Sequence, residues 1–160
     1  MVSSDEIKIL EIFNSRDWTS YYKNLNIKGY KKYYKLEIGK IDEFSFVKHL
    51  INSDLKKINK NHFVSPFISF LIYDVGRFFK PHTDASAYND GTVLSGGYLL
   101  NNNYEGGDFI IENKKLNVKI GELFVFGRND FHEVTEIESG VRYSLHFAIN
   151  DKTKTKTNLI

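Results

Sequence analysis

Tyr73-Asp74-Val75-Gly76-Arg77-Phe78-Phe79-Lys80-Pro81-His82-Thr83-Asp84 is the stretch on which the reading of this chain turns. It ends in a His-x-Asp pair, His82 and Asp84. Alternate side chains of an extended segment share a face, so His82 and Asp84 would point one way and Thr83 the other. One imidazole and one carboxylate side by side supply two of the three ligands of a facial triad for ferrous iron. His132, in Asn129-Asp130-Phe131-His132-Glu133-Val134, is the candidate third, and Arg142 follows in Gly140-Val141-Arg142-Tyr143-Ser144. A lone His-x-Asp pair is weak, since most such pairs are surface residues or satisfied hydrogen-bond partners. The spacing of all four residues carries the argument.

Composition bounds what that site can belong to. A chain of 160 residues is one domain by the usual size prior. Hydrophobic residues make up 41%, and 10 Tyr and 13 Phe supply much of a sizeable core. The net charge of +2 implies no strong affinity for polyanions, so nucleic acid is not an expected partner. With no cysteine, disulfides and thiolate metal sites are excluded. Met1 to Glu6 lacks a charged-then-apolar leader, and no run reaches the eighteen or more apolar residues of a membrane span. A cytoplasmic protein with no membrane partner is expected. Oligomeric state is not legible.

Ser4-Asp5-Glu6-Ile7 reads as a helix start, with Ser at the cap and acids in the first turn. This short helix should end near Asn14 with Ile7, Leu10 and Phe13 on its apolar side. Lys31 to Ile38 partly alternates and reads as an edge strand whose lysines form a solvated face. Asp42 to Asn59 is the strongest helix, because Phe44, Val47, Ile51, Leu55 and Ile58 recur at three- and four-residue steps. His49 and His62 fall outside any ligand spacing.

From Ser65 the period changes to two. Pro66 is expected to open a strand running to Tyr73, and Gly76 to break it before a second strand leads to His82. Asn89-Asp90-Gly91 is a turn signal. Thr92 to Leu100 reads as a strand containing Gly96-Gly97, a sign of a bulge or a close approach. Asn101 to Gly107 reads as a loop, Asp108–Glu112 and Leu116–Ile120 as arms flanking Asn113-Lys114-Lys115, and Glu122 to Phe126 as a buried strand. His132–Thr135 and Arg142–Ile149 close the set. About eight short strands after a helix mean a sandwich or barrel. The chain divides into an N-terminal support over 1–64, a β core over 65–150 and a flexible tail over 151–160.

His82-x-Asp84, His132 and Arg142-x-Ser144 at these spacings resemble the iron- and 2-oxoglutarate-dependent oxygenases, most closely the prolyl 4-hydroxylase-like subgroup. Tyr73-x-x-Gly76, Glu105-Gly106-Gly107 and Leu116-x-Val118-x-x-Gly121-x-Leu123-x-x-Phe126 match that subgroup too. The resemblance covers roughly Phe67 to Asn150. It implies a mainly β fold with N-terminal helices (α+β), the core a double-stranded β-helix, or jelly roll. It also implies an enzyme that couples oxidative decarboxylation of 2-oxoglutarate, with O2, to hydroxylation of a C–H bond, with ascorbate as a possible reductant. His82, Asp84 and His132 would hold Fe(II). The distal carboxylate of 2-oxoglutarate needs a buried cation, and Arg142 offers a bidentate fork. On a strand Arg142, Ser144 and His146 share a face, which aims Ser144 at the same carboxylate. By resemblance Tyr73 would donate its hydroxyl to the co-substrate. Arg77, Lys80, Tyr88, Asn89 and Arg128 are candidates for a substrate entrance. Where relatives have Tyr-Leu-Asn, this chain has Tyr98-Leu99-Leu100-Asn101, so Leu99 replaces a second co-substrate tyrosine unless Tyr98 compensates. The implied substrate is a peptidyl proline. A free amino acid or other small metabolite is the alternative, and a non-catalytic jelly roll that binds metal or ligand is the alternative of another class.

Overall fold

The computed structural model describes residues 1, 4–27 and 30–154. Two α-helices, α1 (Asp5–Asn14) and α2 (Ser45–Ile58), accompany twelve strands. These are β1 (Lys23–Ile27), β2 (Tyr30–Glu37), β3 (His62–Tyr73), β4 (Phe79–His82), β5 (Thr92–Leu99), β6 (Tyr104–Gly106), β7 (Phe109–Ile111), β8 (Lys114–Lys115), β9 (Phe124–Phe126), β10 (His132–Val134), β11 (Ile137–Gly140) and β12 (Arg142–Asp151). The large sheet has the order β1-β2-β3-β12-β5-β9, and a smaller sheet faces it in the order β4-β10-β7-β8. A third ladder pairs β6 with β11. All strand pairs are antiparallel. This is the double-stranded β-helix that the resemblance implied.

Period-two alternation in β12 assigns its two faces. Leu145, Phe147 and Ile149 go into the larger core beneath the helices. Arg142, Ser144 and His146 go to the opposite face and line a cavity between the sheets. The helix α2 lies on the first face through Val47, Ile51 and Leu55, with Phe44 in the turn before it. Each such side chain contributes about 1.5–3 kcal/mol by leaving water. The expected stripe is therefore present, except that Ile58 is 69% exposed at the helix end.

Several local expectations give way to packing. In α1 the buried side is Glu6, Ile9 and Phe13, with Leu10 partly buried against the core and Ile7 exposed; Phe13 stacks on Phe70 and sets the helix rotation. Ser4 is the N-cap residue, but its side chain makes no capping bond. Strand β2 is not an edge, because β1, which was not foreseen, pairs along its other side. Its Lys32 and Lys35 line the cavity instead of forming a solvated face; the side chain of Lys31 lies outside the described residues. Pro66 does not open β3, which begins at His62 and crosses the expected boundary at 64/65. The proline sits where β3 and β12 slip register, between the Val64–Ile149 and Ile68–Phe147 pairs, so its missing N–H costs no ladder bond.

The turn after β7 uses Glu112 and Asn113 at φ 48° and 64°, with Lys114 and Lys115 already paired as β8. Residues expected in a loop at Tyr104–Gly106 form β6. The run Glu122 to Phe126 is strand only from Phe124, and Val125 is 42% exposed because β9 is an edge. The expected tail starts too early. Asp151 ends β12, is buried, and pairs with His62 Nε2 at 3.5 Å. Residues 155–160 lie outside the described set.

Candidate metal and co-substrate site

His82 is the last residue of β4 and His132 the first of β10, and the two lie opposite each other in register. Asp84 is not extended: it caps a short 3₁₀ turn, Ala85–Ala87, with φ −92° and ψ 10°. The turn swings its carboxylate back toward the histidines, and ligand atoms of all three residues fall within 4.8 Å of one another. Asp84 Oδ1 is 3.3 Å from His132 Nε2 and 3.7 Å from His82 Nε2. Each Nδ1 is turned to a backbone carbonyl, His82 to Lys80 at 2.7 Å and His132 to Asp130 at 3.0 Å. Those bonds favour the tautomer with a proton on Nδ1, leaving both Nε2 lone pairs aimed at the space beside Oδ1.

Ser95, which the spacing did not single out, and His146, which alternation put on the face of Arg142, hold the other carboxylate oxygen. Ser95 Oγ donates to Asp84 Oδ2 at 2.8 Å, and His146 Nε2 is 3.3 Å from the same atom. Oδ1 is thus the oxygen left for a metal. Phe79 stacks on His82 at 3.5 Å between centroids, and Phe126 packs against His132 at 4.3 Å. Burial pushes the His82 pKa down to about 4, against the Lys80 carbonyl, which raises it, so the ring is neutral and able to ligate at pH 7. Burial pushes Asp84 up, but its polar contacts with His132, His146 and Ser95 outweigh it and hold the carboxyl well below the usual range. Two imidazole nitrogens and one carboxylate oxygen, facing an open cavity, suit a ferrous ion with free coordination positions.

The cavity has a volume of about 460 Å³. Arg142 lies in its wall, 3% exposed, with its Nη1 donating to Ser144 Oγ at 3.1 Å. Its Nε is buried without a hydrogen-bond partner, and among the described residues no carboxylate pairs with it. A buried guanidinium without an anion is costly, so this pocket end is suited to a carboxylate supplied by a ligand. Tyr73 is opposite Arg142 in register, 2% exposed and cavity-lining. Tyr98 does not compensate for Leu99. It is on the other face, fully buried, donating to Asp54 Oδ2 at 2.6 Å. Leu99 sits beside Ser144 as an apolar neighbour.

Among the entrance candidates, Arg77 is 2% exposed, bonds Asp74 at 2.7 Å and stacks on Tyr34 at 3.6 Å, so it is held away from the cavity. Tyr88 lies behind Asp84, its hydroxyl 3.3 Å from Ser95 Oγ, and Arg128 stands 5.3 Å from the Tyr88 ring. Neither lines the cavity, and Lys80 and Asn89 are exposed. The cavity wall instead includes Tyr33, Lys32 and Lys35 of β2, which the spacing from the His-x-Asp pair could not reveal.

Among curated proteins, none matches the chain by sequence. Solved structures do match in fold. A prolyl-4-hydroxylase from Pseudomonas putida superposes with a TM-score of 0.70 at 18% identity, covering 94% of this chain and 88% of its own. A prolyl hydroxylase from Trichoplax adhaerens, in complex with a hypoxia inducible factor peptide, gives 0.69 at 18%, covering 94% and 79%. The epimerase SnoN of nogalamycin biosynthesis, in complex with Fe3+, alpha ketoglutarate and nogalamycin RO, gives 0.71 at 10%, covering 94% and 76%. At these identities the likeness is one of fold. The family model for the 2OG-Fe(II) oxygenase superfamily matches residues 68–150, just over half of the chain. That span runs from the middle of β3 to Asn150 in β12 and contains His82, Asp84, His132, Arg142, Ser144 and Tyr73, but not the cavity-wall residues Lys32, Tyr33 and Lys35 of β2. The chain belongs to the 2OG-Fe(II) oxygenase superfamily, enzymes that work with iron and 2-oxoglutarate.

Proposed function

We propose that this oxygenase hydroxylates a C–H bond, with His82, Asp84 and His132 holding Fe(II) and with Arg142, Ser144 and Tyr73 seating 2-oxoglutarate. The observation that carries the reading is one cavity holding both a convergent His-Asp-His set and an unpaired buried guanidinium. Bound iron would supply the oxidative chemistry, in which O2 and 2-oxoglutarate give succinate and carbon dioxide while one oxygen atom enters the substrate. The protein's share is positional. The Lys80 and Asp130 carbonyls orient the two imidazoles, Ser95 and His146 orient Asp84, and Arg142 clamps the co-substrate at the far end. Phe79, Phe109 and Phe126 keep water from the space between.

For the substrate we propose a prolyl residue in a peptide. The subgroup motifs and the fold shared with prolyl hydroxylases support it. SnoN supports a second reading, a free amino acid or another small metabolite, since this fold also houses an epimerase. The test begins anaerobically, where Fe(II) with 2-oxoglutarate should give the weak visible charge-transfer band of a chelated keto acid. His132→Ala should abolish the band, and its survival would overturn the ligand set. In air with ascorbate, the protein should release succinate, and Asp84→Ala should not. Peptidyl proline and free amino acids, compared for stimulation of succinate release, decide between the two substrate readings.

A further inference from the structure

The cavity carries more positive charge than its iron and co-substrate can use. Three cationic side chains line it, Arg142, Lys32 and Lys35, against one carboxylate, Asp84. A divalent metal and the 2-oxoglutarate dianion cancel each other, and Asp84 offsets one cation. Two positive charges remain. Among the described residues neither lysine lies within ion-pair distance of a carboxylate. The nearby Glu37 is engaged with the backbone N–H groups of Ile68 and Gly39, at 2.6 and 3.3 Å.

Both lysines belong to β2 and line the cavity, Lys32 beside the metal end and Lys35 across the sheet from Ser144. The Lys32 ammonium sits 3.7 Å from the centroid of the Phe79 ring, whose other face stacks on His82. Lys35 is opposite Leu71, which is opposite Ser144, two strand spacings or about 10 Å across the sheet. Burial holds the Lys32 pKa down to about 8, a cost that a bound anion would offset. Cations lining a partly dry cavity without a carboxylate partner are expected where a ligand brings the counter-charge.

We propose that the prime substrate carries an anionic group, seated by Lys32 and Lys35 while its reacting C–H bond faces His82, Asp84 and His132. This rests on the oxygenase reading and narrows it: the anion is a carboxylate, either the free carboxylate of an amino acid or an acidic side chain beside a peptidyl proline. Isothermal titration into the anaerobic protein loaded with Fe(II) and 2-oxoglutarate tests it with two matched pairs. One pair is L-proline and L-prolinamide; the other is acetyl-Glu-Pro-Gly-amide and acetyl-Gln-Pro-Gly-amide.

The charged member of one pair should bind about tenfold or more tightly than its neutral partner. Which pair shows the preference identifies the source of the carboxylate. The preference should vanish in the Lys32→Gln/Lys35→Gln variant and return in Lys32→Arg/Lys35→Arg, which a general loss of structure would not allow. Equal binding within both pairs, a preference that survives the Gln variant, or no binding of either carboxylate probe would each overturn the proposal. Succinate release by the wild-type protein from 2-oxoglutarate alone separates the two failures. If it occurs without any anion preference, only this inference falls; if it and the charge-transfer band are both absent, the oxygenase reading falls with it.

Discussion

Arg142 is the residue whose proposed work can be separated most cleanly from that of the metal ligands. It touches Ser144 and faces Tyr73, and no ligand atom of the His-Asp-His set depends on it. Arg142→Ala should therefore keep Fe(II) affinity and lose 2-oxoglutarate affinity by roughly 3–5 kcal/mol, more than a hundredfold, the usual cost of removing one partner of a buried charge pair. Lys should recover only part, since it keeps the charge and loses the fork. Titration of 2-oxoglutarate into each iron-loaded variant reads this, with Arg128→Ala as the control outside the cavity. Lys32 makes a different prediction, on stability. Its folded pKa of about 8 lies below the ordinary 10.5, so between those values the unfolded chain binds more protons and stability rises with pH. Below about 8 both states are protonated and the burial cost is fully present. Lys32→Gln should be favoured over wild type at pH 7, and that advantage should shrink as pH climbs to 10.5 in urea unfolding; a constant difference would contradict it. At this scale the proposed site was largely legible, because a site for iron and a dicarboxylate would admit few residue types. His82, Asp84, His132 and Arg142 could be read from spacing even though the extended geometry assumed for Asp84 is wrong. Lys32 and Lys35 could not, since a lysine in a strand is ordinarily solvated and the long-range pairing of β2 with β3, which sets β2 along the cavity, is not written in the local sequence.

The central strands β5 and β12 bring the site residues together, and Gly97 of β5 shows how closely they are packed. A Cβ there would stand 2.6 Å from the Leu145 carbonyl oxygen and 2.6 Å from the Phe124 ring. The carbonyl belongs to the β5–β12 ladder and cannot yield, so Phe124, a cavity wall residue, has to move. Gly97→Ala should cost about 1–3 kcal/mol of stability, as overpacking does, and also weaken 2-oxoglutarate binding. Denaturant midpoints together with a 2-oxoglutarate titration test both halves; an unchanged midpoint would mean the strands can part without penalty. The Gly96-Gly97 pair was read as a bulge or a close approach, and the structure shows the close approach, one of the few reasons for glycine in a strand interior. Other elements were hidden for identifiable reasons. Strands β6 and β11 are three and four residues long and are defined by pairing with each other, where Gly106 at φ 74° lets the chain pass Glu136. Helix α1 was found but rotated, since Ile7, Ile9 and Leu10 are equally apolar and only the Phe13–Phe70 stack chooses among them.

Across the whole molecule the cavity leaves its charges unbalanced, and filling it should feed back on folding. Half-buried Asp84 and buried Arg142 stand in the wall of one cavity without being paired to each other. In the proposed site a metal would engage Asp84 Oδ1 and 2-oxoglutarate would bring Arg142 its counter-charge, and neither site exists in the unfolded chain. Ligands that bind only the folded state stabilise it by about 2.7 kcal/mol at a hundred times Kd. For a domain of this size each kcal/mol moves Tm by about 2–4 °C, so saturation should raise Tm by roughly 5–10 °C. The pairing of charges makes the two increments interdependent. Because the keto acid chelates the metal, 2-oxoglutarate should stabilise little by itself and the metal modestly, while the two together exceed the sum. Mn(II) in place of Fe(II) allows the measurement in air without turnover. Thermal unfolding of wild type, Asp84→Ala and Arg142→Ala then reads the linkage. Asp84→Ala should lose the metal increment and with it most of the co-substrate's. Arg142→Ala should keep the metal increment and lose only the second. If 2-oxoglutarate stabilises Arg142→Ala as much as wild type, its distal carboxylate is held elsewhere on the cavity wall, and Lys35 on β2 is the cation placed to do it.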